Sequence, residues 1–372
     1  MFLEGIVYPS PYAYSNGSGV FAPCSGGTVM RKLLNTLYAL SEDIYLSLDG
    51  ENIVANKEKQ ELARYPLHTL QNIVSFSYAG LSPALMGACA SRNIGIALCS
   101  PRGKFLARIC GSSNGNVLLR RQQYRIADDP QQSCQIARCM IFGKLYNCRW
   151  SIERTRRDHG MRVDSLRLAA VSAQLKDLLP KVLAETSLDT LRGLEGNGAN
   201  AYFSIMDQLI LNSSDTFRFS GRNRRPPLDP VNALLSFAYS MLAHDCASAL
   251  ETHGLDAYAG FLHRDRPGRT SLALDIMEEL RPCMADRFVL TLINNRVMQE
   301  SDFIHQQSGA VFLNDAGRRK FFKHWQEKKQ ETLMHPYLAE KLPWGMIPYV
   351  QAQLLARYIR GDLDAYPPFL WK

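Results

Sequence analysis

The stretch "GFLHRDRPGRTSLALDIMEELRP" places His263 after a short apolar run and, past an arginine-bearing loop, the acids Asp275, Glu278 and Glu279. On a helix these acids fall at i, i+3 and i+4 and share one face. The helix is expected to start near Thr270 or Ser271 and to end before Pro282. Leu272, Leu274, Ile276, Met277 and Leu280 form no single stripe, so burial on more than one side is expected. Like charges at this spacing repel by about 0.2–0.5 kcal/mol on an exposed helix, and by more when desolvated, unless a cation sits among them. A metal ion or arginines would supply that cation. A plainer reading stands beside it: Glu278 and Glu279 as a solvated face paired with Arg281, Asp275 paired with Arg269, and His263 as a structural histidine. Spacing alone does not rank the acids, and a site would need a further acid from elsewhere.

Glu195 in "LRGLEGNGANAYF" is one candidate. Gly193, Gly196 and Gly198 would let backbone or ligand approach a carboxylate held near the start of the helix that follows. The ordinary alternative is a loop glutamate favoured by a helix dipole. Three basic segments matter in the same way: Arg149, Arg154, Arg156, Arg157 and Arg162 in "RWSIERTRRDHGMR", Arg222, Arg224 and Arg225 in "SGRNRRPP", and Arg264, Arg266 and Arg269 in "HRDRPGR". Arginine forks match phosphate oxygens, and the last two sets flank the candidate site.

The elements that must position these residues change character along the chain. From residue 37 to about 110 the signals are those of strands. "IYLSLDGENIVA" alternates around Asp49-Gly50 as a hairpin does, "NIVSFSYAG", "NIGIALCS" and "KFLARI" follow, and "SPALMGACASR" predicts a short helix begun by Ser82. After the polar break "GSSNGN", long helical patterns such as "NVLLRRQQYRIADD" and "DPQQSCQIARCMIFGKLYNCRWSIERTRR" dominate to the end. In "FRFSGRNRRPPLDPVNALL" the prolines forbid a continuous helix, and Asp229-Pro230 predicts an N-cap followed by a first-turn proline. The expected fold is α+β: a loose extension over residues 1–29, a mainly β domain over 30–115 and an α-helical domain over 116–372.

Composition narrows the function classes. The formal net charge of +8 suits a polyanionic partner without proving one. The nine cysteines include no CxxC and no metal-finger spacing, so reduced, mostly buried thiols are expected. "LAAVSAQLKDLLPKVLAE" is broken by Lys176, Asp177 and Pro180, and nothing else reaches bilayer length, so a soluble, cytoplasmic protein without a membrane partner is expected.

Together these pieces resemble the CRISPR-associated adaptation integrases, the metal-dependent endonucleases that insert new spacers into a repeat array. The likeness runs from Met30 to the last residue. It lies in a glutamate in an "EG" setting, a histidine in a "GFxH" setting and the acids of "SLxxDxxEExRP". It implies that Glu195, His263 and Glu278 bind one Mg²⁺ or Mn²⁺, that Asp275 supports them, and that Glu279 has no assigned role. "MRKLLNTLYALSEDIYLSLDGENIVA" and the closing "YPPFLWK" look most like the type I-C branch. The resemblance further implies a β domain that dimerises, and a larger complex with a small ferredoxin-like adaptation partner. The substrates it implies are double-stranded DNA with 3′ hydroxyl ends and CRISPR repeat DNA. The rival expectations are a structure-selective, metal-dependent repair nuclease and a non-catalytic basic DNA-binding scaffold.

Overall fold

A computed structural model describes residues 36–39, 43–58, 60–70, 72–92, 94–99, 105–109, 111, 117–212, 214–223 and 225–372. The expected extension over residues 1–29 and the side chain of Arg224 lie outside the described residues.

The first part is built of strands. β1 (Thr36–Ala39), β2 (Tyr45–Asp49), β3 (Asn52–Lys57), β4 (Gln60–Pro66) and β5 (Asn72–Ser75) precede helix α1 (Pro83–Ser91), and β6 (Gly95–Cys99) and β7 (Phe105–Ile109) follow it. β2 and β3 form the hairpin expected at Asp49-Gly50, with Asp49 opposite Asn52, and β4 adds a third antiparallel strand. β1, β5 and β6 are parallel neighbours, with β7 antiparallel on β6. α1 begins as expected, where Ser82 Oγ accepts from the Leu85 N–H at 3.2 Å. Leu46, Ile53, Ile73, Leu85 and Ile96 form a core shared by both sheets and α1.

Helices take over at Val117: α2 (Val117–Asp128), α3 (Pro130–His159), α4 (Ser165–Ala184), α5 (Leu188–Phe203), α6 (Met206–Leu209), α7 (Pro230–Thr252), α8 (Ser271–Leu280), α9 (Arg287–Asn294), α10 (Asp315–Gln330) and α11 (Ile347–Arg360). The fold is therefore α+β, a small β region followed by a mostly helical domain. α3 is its axis and packs against α4, α5 and α8. Two hairpins, β8 (Phe303–His305) with β9 (Val311–Leu313) and β10 (Thr332–Met334) with β11 (Lys341–Pro343), interrupt the helices expected to the end. Strands of three residues are too short to print an alternating pattern on the sequence. No helix among the described residues is long and apolar enough to cross a membrane.

Two departures bear on the site. The sequence predicts a glycine-rich lead-in around Glu195, whereas "LRGLEGNGANAYF" lies wholly inside α5 and Glu195 is in mid-helix. Each glycine lowers helix stability by about 1 kcal/mol relative to alanine, but packing overrides propensity. A Cβ at residue 198 would stand 2.2 Å from Leu145 Cδ2, so Gly198 is what lets α5 close onto α3. Nor does Pro282 end the site helix. Arg281–Asp286 continues α8 as a π-helical turn into α9, a wider turn that accommodates the missing proline N–H.

Candidate active site

All three acids of α8 are buried: Asp275 and Glu279 are 0% exposed and Glu278 is 2% exposed. The plain reading of a solvated face does not hold. The carboxylate of Asp275 is wrapped by the "GFLH" turn that precedes α8. Its Oδ2 accepts from the N–H groups of Phe261 at 2.6 Å and Leu262 at 3.0 Å. Its Oδ1 accepts from the His263 N–H at 3.0 Å and faces His263 Nδ1 at 2.5 Å. Gly260 permits the wrap, because a Cβ there would stand 2.8 Å from Asp275 Oδ2. With Asp275 acting only as acceptor, the ring hydrogen lies on Nδ1. The Nε2 lone pair is then left on the side of Glu278, whose Oε1 is 3.8 Å away.

Glu278 carries two cations. Arg281 Nη2 is 2.9 Å from Oε1, and Lys144 Nζ is 2.7 Å from Oε2. Burial works to raise the Glu278 pKa, but Arg281 and Lys144 hold it down at about 2. The same Lys144 ammonium makes a short contact with Glu195 Oε1, so α3, α5 and α8 each send one charged group to a single point. Burial opposes the charge on Lys144, yet Glu278 and Glu195 outweigh it and leave its pKa raised. Sequence reasoning missed this lysine. Its signal was a lone charge inside the apolar run "CMIFGKLYNC". Arg192 was missed too: it leaves α5 one turn before Glu195, and its Nε and Nη2 donate to the Leu262 carbonyl at 2.9 and 2.7 Å, fixing α5 to the histidine turn.

Glu279 belongs to another group. Its Oε1 accepts from Tyr366 Oη and from Gln351 Nε2 at 2.8 Å, and its Oε2 from the Phe369 N–H at 3.0 Å. Asn147 completes this clasp on the closing segment, donating to the carbonyls of Glu279 at 2.7 Å and Phe369 at 2.8 Å. Burial pushes the Glu279 pKa up to about 7. The acid left without a role by the resemblance is thus an acceptor for the C-terminal segment, a role that no spacing announces.

The candidate DNA-binding arginines divide. Arg222 is half-buried: it donates to Asn232 Oδ1 at 2.6 Å and lies over the Tyr239 ring, on which Arg281 also lies, with centroid distances of 5.3 and 5.1 Å. Arg222 therefore buttresses the site from behind Arg281. Arg225, Arg264 and Arg266 are exposed, Arg264 pairing with Asp189 at 3.0 Å. Burial and the charges of Arg266 and Arg225 push the Arg269 pKa down. Asp275 does not pair with Arg269, since its oxygens are taken by the "GFLH" turn. In the first basic segment Arg154, Arg156 and Arg157 pair with Asp158, Glu153 and Asp158 along α3, a largely self-compensated helix face.

Two glutamates and a histidine whose Nδ1 is bound to a carboxylate form a donor set that suits Mg²⁺ or Mn²⁺. Among the described residues no three His, Cys, Asp or Glu side chains already stand at metal-holding spacing, and the Lys144 ammonium lies between Glu195 and Glu278.

A β region, a helical domain organised on one long helix, and a carboxylate–imidazole cluster flanked by loop arginines are the features set beside known proteins. The family model described as "CRISPR associated protein Cas1" matches residues 37–327, and the chain belongs to this family. It is similar to the "CRISPR-associated endonuclease Cas1 2" of Rhodospirillum rubrum, 49% identical over 347 residues that cover 92% of this chain and all of that one. Its fold is similar to that of a casposase bound to integration product, with a TM-score of 0.78 at 21% identity, covering 91% of this chain and 95% of that one. It is also similar to a chain of a Cas6-RT-Cas1–Cas2 complex, with a TM-score of 0.74 at 21% identity, covering 92% of this chain and 36% of that one.

Proposed function

We propose that this protein is a metal-dependent DNA integrase of CRISPR adaptation, in which 3′ hydroxyls of a short duplex attack phosphodiesters at the repeat borders. The observation that carries this reading is the gathering of Glu195 from α5 and the Asp275-oriented His263 around the buried Glu278 of α8, Glu195 through their shared Lys144 and His263 Nε2 at 3.8 Å. Those three residues hold the divalent cation, Mg²⁺ or Mn²⁺. When bound, it supplies Lewis-acid stabilisation of charge developing on the scissile phosphate. Asp275 holds the imidazole in the tautomer that leaves Nε2 free, and Arg281 and Arg222, stacked on Tyr239, keep Glu278 in place. Arg225, Arg264, Arg266 and Arg269, with Arg224, grip the DNA backbone. One phosphorus–oxygen bond forms as an equivalent one breaks, so no nucleotide energy source is needed; with water as the attacking group the same site hydrolyses DNA.

The β domain over residues 30–115 forms the homodimer, a role supported by the exposed side chains of Tyr45, Leu62, Tyr65 and Leu106, and residues 116–372 carry catalysis and DNA binding. By analogy with the Cas1–Cas2 assembly named above, a small ferredoxin-like adaptation partner joins two such dimers in the cytoplasm. The likeness of the opening and closing segments singled out in the sequence supports an assignment to the type I-C branch.

The deciding experiment supplies a labelled duplex with 3′ hydroxyl ends, a repeat-containing plasmid and Mn²⁺. Joined products support integration; cleaved but unjoined plasmid would instead favour a structure-selective repair nuclease. Strand transfer that ignores both Mn²⁺ and Glu278→Ala would reduce the protein to a DNA-binding scaffold.

A further inference from the structure

Among the described residues, Lys144 is the charged group that touches both glutamates of the site. Its side chain is only 7% exposed, it reaches in from α3, and it contacts Glu195 Oε1 and Glu278 Oε2. With Arg281 on Glu278 Oε1, two cations already balance the two carboxylates. A divalent cation held by Glu195 and Glu278 would enter between carboxylates that the ammonium already bridges. Keeping both would gather four positive charges around two negative ones in a buried space, an arrangement that desolvation makes unfavourable. The ammonium also has a route out, because its stem is a flexible four-carbon chain whereas the planar Arg281 is pinned on Tyr239.

We propose that Lys144 is a resident counter-ion that holds Glu195 and Glu278 in register and is exchanged for the divalent cation, so that this lysine sets how tightly the site binds metal. The proposal rests on the ligand assignment made under the proposed function. Lys144 is accordingly a positioning residue: it keeps two like charges from different helices together, and it makes metal affinity lower than the carboxylates alone would give.

The test is a Mn²⁺ titration of the full-length protein followed by electron paramagnetic resonance, in wild type, Lys144→Met, Lys144→Gln and His263→Ala. Methionine keeps the length of the stem without its charge, and glutamine keeps polarity without charge. Both are expected to lower the Mn²⁺ dissociation constant by about tenfold, to melt earlier than wild type without metal, and to gain more in melting temperature than wild type when Mn²⁺ is added. Equal or weaker Mn²⁺ binding in folded Lys144 variants, with wild-type binding still lost in His263→Ala, overturns the exchange while leaving the metal site intact. Mn²⁺ binding that is indifferent to His263→Ala overturns the ligand assignment and the exchange with it. A measurement on the wild type covers variants that do not fold: in ¹⁵N-lysine-labelled protein the buried Lys144 ammonium resonance must move as Mg²⁺ is added. A resonance unmoved at saturating Mg²⁺ overturns the proposal.

Discussion

Asp275 Oδ1 meets both the ring and the backbone of His263, at 2.5 Å from Nδ1 and 3.0 Å from the peptide nitrogen. One carboxylate oxygen thus fixes the imidazole and the turn that carries it. Asp275 Oδ2 extends the same hold to Phe261 and Leu262, so the acid serves the site through the histidine rather than by facing the cluster itself.

This relationship predicts graded losses. Asp275→Asn should lower the integration rate or the apparent Mn²⁺ affinity by roughly 10- to 100-fold, the usual scale for residues that orient a metal-ligating histidine. Asp275→Ala should also lower the melting temperature, because each buried N–H group left without an acceptor costs about 1–3 kcal/mol. Wild-type activity for Asp275→Asn across a Mn²⁺ titration would remove the residue from the site.

Glu195→Ala, His263→Ala and Glu278→Ala should each abolish integration into a repeat-containing plasmid while leaving duplex affinity within about twofold, since none of them removes an arginine proposed to hold the DNA backbone. Parallel strand-transfer and gel-shift assays separate the two effects. Activity retained in any one variant would exclude that side chain as a ligand.

The arginines should divide in solution as they do in the structure. Changing Arg225, Arg264, Arg266 and Arg269 together to alanine should weaken DNA binding and flatten the dependence of log K on log salt by about 0.9 for each phosphate that is no longer neutralised. Arg222→Ala should instead lower the melting temperature with the salt slope preserved, because it removes the support behind Tyr239 and Asn232. A flattened slope for Arg222→Ala would return it to the DNA-binding set.

Glu279 predicts a pH dependence of stability. Its pKa is raised by burial to about 7, from an ordinary value of 4.5, so the folded state binds the proton more tightly than the unfolded chain. Stability attributable to this group is therefore fully present below about pH 4.5 and falls as pH rises through about 7, by a total of about 3 kcal/mol. Glu279→Gln should flatten that fall in urea unfolding followed between pH 5 and 8. An unchanged pH profile in the variant would assign the effect to other groups.

Much of the scaffold was legible in the sequence for physical reasons that can be named. The Asp49-Gly50 hairpin, the Ser82 cap and the Asp229-Pro230 helix start are local devices, complete within a few residues, and each appears where the sequence puts it. That α8 is buried on more than one side was legible because its apolar residues form no single stripe, whereas the burial of its acids was not, since a solvated face fitted the same spacing. Glu195 was a candidate from its glycine setting, but its place in mid-helix was not, because Gly198 acts through Leu145 on another helix.

The sequence by itself determined the inventory: a β region before a helical domain, one histidine turn, a row of acids at helical spacing and two arginine loops. Only the tertiary structure ranked those acids. Asp275, Glu278 and Glu279 occupy one short helix, and it is their partners from distant segments that separate them: a backbone turn for the first, Lys144 and Arg281 for the second, and Gln351, Tyr366 and Phe369 for the third. Charge alone cannot make that distinction, because a carboxylate's role is set by which donors fold against it.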